Sequence, residues 1–427
     1  MEPGDIVEIT TKDQVLEGLV IPRPNILDKD VLVLKLNNGY NIGINTENII
    51  SSKVLKKFKS FKANPVEYKK NPALPTVAIL STGGTISSSI DYSSGGVKAV
   101  NYTAEDFVAM CPELKRVANL EVESIMQVMS EDIDLRSISE IGDKLKPWLE
   151  NDSIKGIVLT MGTDTLHYIS AGLSFILQGL NKPVIITAAQ RSIDRGSSDA
   201  FMNLSCAVKA AVSWSGAEVA VCMHGSSDDD YCNLIRASKV RKMHTSKRDA
   251  FRPINELPFA TISYPDLNIS EINKNYSKGS EVLKINSSLS SKVALISIYP
   301  GMDPGIIDYY VQKGYKALVL AGTALGHVPT NGDSNLVPNL EKAREKGIII
   351  VIATQTLYGR THPFVYTNLR TLSLKLGCLF SEDLIPETAY MKMCWVLANY
   401  PDNVEEKFTQ NLVGEISNSI ESKSFLY

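Results

Sequence analysis

The sequence is poor in the residues that staple or metallate a fold. Six cysteines and five histidines are all it holds in 427 residues. Cys111, Cys206, Cys222, Cys232, Cys378 and Cys394 are scattered without C-x-x-C spacing, several of them inside apolar runs. This excludes a disulfide framework and a cysteine zinc site, and reads as buried free thiols in a reducing compartment. No two histidines fall at H-x-x-x-H spacing, so no metal is expected in this chain. No apolar run reaches the roughly 18 residues of a membrane span. The opening MEPGDIVEI lacks a basic stretch followed by an apolar one, so no signal peptide is expected and the location expected is cytoplasmic. Positive charge is not in excess either. Lysine and arginine number 44 against 47 acids, a net charge of −3, which argues against a surface that binds nucleic acid throughout.

What is present is ordinary for a globular chain, with 44% hydrophobic and 21% charged residues, and the length predicts two or three domains. Residues 1–50 read as all-β. Ile6 to Ile9, Gly18 to Ile21, Val31 to Leu36 and Tyr40 to Ile44 are short β-rich runs, and Asn37-Asn38-Gly39 is a hairpin turn because Asn and Gly tolerate positive φ. Four or five such strands make a small barrel, which either docks a partner or packs only on its neighbour. Residues 51–74 read as a linker. From Lys53 to Lys70 seven lysines stand against the single acid Glu67, with Phe58, Phe61 and Tyr68 interleaved. That mixture suits a nucleic-acid backbone with stacked bases, or a solvated connector.

From residue 75 strands alternate with helices, the pattern of a parallel doubly wound sheet. Strands are expected at 76–81, 156–160, 183–187 and 219–223. Helices are expected at 134–150, where Leu135, Ile138, Ile141, Leu145 and Leu149 recur at helical spacing, at 165–180 and at 199–214. Residues 224–290 read as irregular. A second α/β unit at 290–427 has strands at 293–299, 317–321 and 347–353, and helices at 340–346, 386–399 and 403–419.

Two stretches share one grammar, a short apolar strand that opens into glycine and hydroxyls. VAILSTGGTIS spans Val77 to Ser87, and GIVLTMGTDTLH spans Gly156 to His167. The first fits neither the G-x-G-x-x-G nor the G-x-x-x-x-G-K-[ST] phosphate loop. Both place hydroxyls and free backbone N–H groups at the carboxyl edge of a parallel sheet, where open α/β folds bind ligands. Glycine lets the backbone approach a ligand closely.

With S-T-G-G-T-I at 81–86, G-T-D-T at 162–165 and V-R-K-M-H-T at 240–245, the chain resembles the type I/II L-asparaginases from about residue 75 to the C-terminal region. The added β-domain, absent from ordinary asparaginases, makes it more similar to the D subunits of archaeal tRNA-dependent glutamyl amidotransferases. The resemblance implies an asparaginase-like α/β body, with an active-site domain at 75–270 and a C-terminal domain at 290–427. It implies cleavage of the side-chain amide of glutamine or asparagine, with release of ammonia. Thr85 matches the nucleophile, Tyr92 the assisting tyrosine on the following loop, and Thr163, Asp164 and Lys242 the second polar group. Ser130 and Glu131 match the substrate-holding pair. Many free-standing asparaginases have glutamine where Glu131 stands. The implied assembly is a homodimer within a heterotetramer. Its E subunit would use ATP and Mg²⁺ and carry most of the contact with Glu-tRNA(Gln).

The residue types suit that chemistry. A threonine hydroxyl needs a base to become a nucleophile, and neither S-T-G-G-T-I nor G-T-D-T holds a histidine, so the base expected is tyrosine or lysine. A lysine of ordinary pKa, about 10.4, is nearly all protonated at neutral pH. Lys242 could serve as a base only if burial lowers its pKa, and a nearby Asp164 would push the other way. Asp164 can instead hold a substrate ammonium, and backbone N–H groups after Thr85 or Thr163 can meet an oxyanion. Each residue has a plainer alternative. Thr163 or Asp164 can cap the 165–180 helix, and Lys242 can belong to a solvated run with Arg236, Lys239, Arg241, Lys247 and Arg248. At the level of function the alternatives are a free-standing asparaginase or glutaminase with an extra domain, and a non-catalytic RNA-binding scaffold.

Overall fold

The computed structural model describes residues 1–21, 30–36, 41–57, 69–84, 88–91, 96–99, 103–191, 193, 197–280 and 282–427. The N-terminal strands are β1 (Ile6–Thr11), β2 (Val15–Ile21), β3 (Val31–Leu36), β4 (Asn41–Asn45) and β5 (Ile49–Lys56). They form one antiparallel sheet in the order β4-β3-β2-β1-β5. Alternation puts Val7, Ile9, Val20, Leu34 and Ile44 on one face, where they make a small core of their own. β5 is the fifth of the four or five strands expected, at a position that none of the named runs covered. It carries the sheet six residues into the stretch read as linker, because Val54 pairs with Val7 and packs against that core. The expected turn at 37–39 and most of the lysine-rich stretch lie outside the described residues.

The body is built on an eight-stranded sheet. Its strands are β6 (Thr76–Ser81), β7 (Asn119–Ser124), β8 (Ile154–Met161), β9 (Val184–Ala188), β10 (Val219–His224), β11 (Tyr231–Arg236), β12 (Ala260–Ser263) and β13 (Ile269–Glu271). The order is β13-β12-β11-β10-β9-β8-β6-β7. β7, β6, β8, β9 and β10 run parallel, so their carboxyl ends share one edge. β6, β8 and β9 are buried on both faces, which explains their continuous apolar runs. Helix α1 (Leu135–Glu150) starts where the Asp134 carboxylate accepts the Ser137 N–H, and α2 (Leu166–Ile176) and α3 (Ala200–Ser213) also cover the sheet. The stretch 224–290 is not irregular. It supplies β11 to β13, the antiparallel half of the sheet, through hairpins that the strand–helix alternation did not signal.

The second unit is a parallel sheet of β14 (Val293–Ser297), β15 (Ala317–Gly322), β16 (Ile349–Thr354) and β17 (Leu379–Phe380). Its helix α4 (Pro386–Asn399) packs on α2 of the first unit, where Trp395 stacks on Phe175 with ring centroids 6.2 Å apart. Two expected helices are shorter than their periodicity suggested. α2 ends at Ile176, since Leu177–Gln178 pair with Lys284–Ile285 and Gly179 turns the chain at φ +66°. The helix expected at 403–419 spans only Val404–Thr409. Beyond it the buried Lys392 ammonium bonds the Gln410 carbonyl, while the Glu415 carboxylate takes the Leu412 and Val413 N–H groups. Helical backbone bonds are replaced there by side-chain bonds. Among the described residues no helix is long and apolar enough to cross a membrane.

Candidate active site

Four neighbouring strand ends converge at the carboxyl edge of the body sheet. After β6 the chain enters Thr82-Gly83-Gly84. The Thr82 N–H donates to the Thr160 carbonyl at 2.9 Å, and the Thr82 carbonyl accepts from Val128 at 3.0 Å. Gly83 and Gly84 have φ of +104° and +80°, a region that other residues rarely adopt. A Cβ on Gly84 would stand 2.2 Å from the Gly162 nitrogen. The T-G-G-T loop therefore lies directly on the G-T-D-T loop, and only glycine permits that contact. Thr85 follows at once in the chain. It and Tyr92 lie outside the described residues.

The second loop leaves β8 and is fixed from behind by Ser130. That residue is buried at the turn Ser130–Asp132, its Oγ accepts the Asp164 N–H at 3.1 Å, and its carbonyl accepts the Thr165 hydroxyl. Thr163 is buried, whereas the Asp164 side chain is 62% exposed. Lys242 reaches both. Its Nζ donates to Thr163 Oγ1 at 2.9 Å and to Asp164 Oδ1 at 2.7 Å. The helix-cap alternative does not describe these residues, since Thr165 holds the cap position of α2 and makes no side-chain cap bond.

Lys242 is delivered by a short antiparallel pair, Val240–Lys242 with Phe251–Pro253. Its basic neighbours are each paired with an acid, although Lys247 remains exposed. Arg236 pairs with Glu218 and Glu256, Lys239 with Asp383, Arg241 with Glu387, Lys247 with Asp249 and Arg248 with Asp229. Arg236 and Lys239 are buried. Asp383 and Glu387 belong to the second unit, so that unit grips the strand on both sides of Val240 and aims Lys242 at Thr163. The cavity beside it, about 390 Å³, is lined by Asp164, His167, Arg241, Lys242, Met243, His244 and Thr245. Burial pulls the His167 imidazole down to about 4, against the opposing pull of Glu387 and helped by Arg241 and Lys242. It stands neutral beside the cationic pair.

Comparison with known proteins identifies the family. Residues 76–274 match the family model "Asparaginase, N-terminal", 292–408 match "Glutaminase/Asparaginase C-terminal domain", and 1–55 match "GatD N-terminal domain". The chain is 43% identical to the D-type subunit of the glutamyl-tRNA(Gln) amidotransferase of Pyrococcus furiosus, covering 100% of this chain and 97% of that one. The chain belongs to this D-type family. Its counterpart in Methanothermobacter thermautotrophicus is 40% identical over 98% of this chain and 94% of its own. Among solved structures, the thermostable L-asparaginase of Thermococcus kodakarensis superposes with a TM-score of 0.71 at 27% identity, covering 81% of this chain and 100% of the asparaginase.

Of the site residues expected for this family, the structure brings Ser130, Thr163, Asp164 and Lys242 together. Glu131 is exposed on the Ser130–Asp132 turn. The sequence reading missed Gln190, which follows β9 and whose Oε1 lies 3.5 Å from Thr163 Oγ1. The available signal was its place just after a parallel strand beside β8. Among the described residues no group of three or more His, Cys, Asp or Glu could hold a metal ion. All six cysteines are free and buried.

Proposed function

We propose that this chain is the amide-hydrolysing, ammonia-donating half of a glutamyl-tRNA(Gln) amidotransferase. The observation that carries the reading is the Lys242 ammonium bridging Thr163 Oγ1 and Asp164 Oδ1 on a loop that touches Gly84. Thr85 attacks the carboxamide carbon of glutamine, or of asparagine, and its hydroxyl proton passes toward the leaving nitrogen. Ammonia departs and leaves an acyl-Thr85 ester. Water cleaves that ester with the help of Thr163 and Lys242, releasing the free carboxylate and restoring the hydroxyl. Tyr92 assists on the first loop, the exposed Asp164 carboxylate holds the substrate's α-ammonium, and Ser130 with Glu131 borders the substrate. Ammonia is used by a partner E subunit, which binds ATP, Mg²⁺ and most of the Glu-tRNA(Gln). The chain works as a homodimer within a heterotetramer.

The test is ammonia release from glutamine and asparagine by the purified chain, alone and with the partner subunit and charged tRNA. Activity that appears only in the complex, and that Thr85→Ala or Lys242→Met lowers by at least about 10²-fold, is the expected result. Vigorous hydrolysis by the chain alone would make it a free-standing asparaginase. Full transamidation with glutamine by Thr85→Ala would make the body a scaffold.

A further inference from the structure

Among the described residues, the buried amide nitrogen of Gln190 has nothing to donate to. Its Oε1 faces the Thr163 hydroxyl at 3.5 Å, while its Nε2 meets no acceptor there. A buried donor without an acceptor destabilises the fold unless a ligand supplies one. The residue is also held in place. Its backbone N–H and that of Arg191 donate to the two carboxylate oxygens of Asp199, at 2.9 and 3.0 Å. Asp199 is fully buried. The Asn203 amide bonds both this carboxylate and the Ala188 carbonyl at the end of β9, and the Asn203 oxygen meets His224 Nδ1 at 2.6 Å. Burying a carboxylate is costly, and this one spends both oxygens on the turn that carries Gln190. A fixed turn, an orphan donor and the neighbouring Thr163 point the same way.

We propose that Gln190 is a substrate-contacting residue, whose Nε2–H donates to an oxygen of the amide substrate bound beside Thr163. The proposal rests on the amide-hydrolysis reading above and adds a donor that the threonine motifs do not contain. Since Nε2 makes no bond among the described residues, removing it is expected to spare the fold and take the donor from the substrate.

The test uses the assembled complex with charged tRNA and glutamine. Gln190→Met keeps length and removes the amide. Its kcat/KM is expected to fall at least about tenfold, with a thermal midpoint matching that of the unsubstituted enzyme. Gln190→Glu keeps shape and replaces the donor with an acceptor. Its activity relative to the unsubstituted enzyme is expected to rise as pH falls and the new carboxyl gains a proton to donate. A role in packing alone would not produce that pH profile. A kcat/KM within twofold of the unsubstituted enzyme in Gln190→Met would overturn the proposal. So would a deficit in both variants that does not change with pH. If the unsubstituted complex released no ammonia, the amide-hydrolysis reading itself would fail, a result distinct from either.

Discussion

A single hydrogen on Gly84 decides whether the loops that follow β6 and β8 can touch. A Cβ there would meet the Gly162 backbone at 2.2 Å, in a backbone region that already costs a substituted residue about 1–3 kcal/mol. Backbone cannot rotate away as a side chain can, so Gly84→Ala must push the loops apart. Thr85 then moves relative to Thr163 and Lys242. Displacement of about 1 Å at reacting groups costs on the order of 10²-fold in rate, and that is the loss expected in kcat/KM for glutamine. The core beneath is untouched, so circular dichroism should stay unchanged. His167 shows residue-scale control of a different kind. Its pKa falls from the ordinary 6.5 to about 4 on folding, so the unfolded chain binds more protons between those values. Stability from this residue is therefore complete above about pH 6.5 and lost as pH drops toward 4. Urea midpoints measured from pH 7 to pH 4.5 should fall, and less steeply in His167→Gln. His224, whose pKa burial also lowers, adds to the slope.

At the scale of elements, the strand ends that hold the site were the most legible part of the sequence. β6 spans the residues its apolar run predicted, and Thr163, Asp164 and Lys242 come together as the joint motifs implied. Short buried strands bounded by proline and glycine leave little freedom of assignment. What remained hidden depends on distant partners. Gln190 belongs to no motif, and only the register of β9 beside β8 brings it to Thr163. The missing helix after Thr409 has the same origin. Lys392 and Glu415 are both 0% exposed and lie 2.5 Å apart, a pairing of residues 23 positions apart that local periodicity cannot reveal. Removing one member strands a buried charge, which typically costs about 3–5 kcal/mol. Lys392→Met should therefore lower the unfolding free energy by that order. The double variant with Glu415→Gln should recover much of it, because neither charge is then buried alone and the amide oxygen still accepts the Leu412 and Val413 N–H groups. Denaturant titration of the three proteins decides the matter.

At the scale of the whole molecule, the N-terminal sheet stands apart from the chemistry. Its core is closed by its own residues, and no residue of the sheet lines the cavity beside Lys242. Its outer strand β5 pairs only with β1 among the described strands, and exposes Lys53, Lys56, Ile50 and Leu55. Lysines on an edge strand oppose pairing with another strand, so a contact here would run through the lysine and apolar side chains rather than through the backbone ladder. In a chain of net charge −3, a basic patch needs local concentration, and the lysines from Lys53 to Lys70 provide it. Deletion of residues 1–70 should leave the thermal transition of the body in place, because the sheet core and the body core do not share residues. It should weaken assembly with the partner subunit or with tRNA, and the lost affinity should be the salt-dependent part, since each lysine–phosphate contact releases a counterion. Sedimentation of the complex, with tRNA binding titrated at low and high salt, separates the possibilities. Unchanged assembly and an unchanged salt slope would reduce the sheet to an appendage. A slope shallower by about one per lost lysine contact would make it part of the tRNA surface.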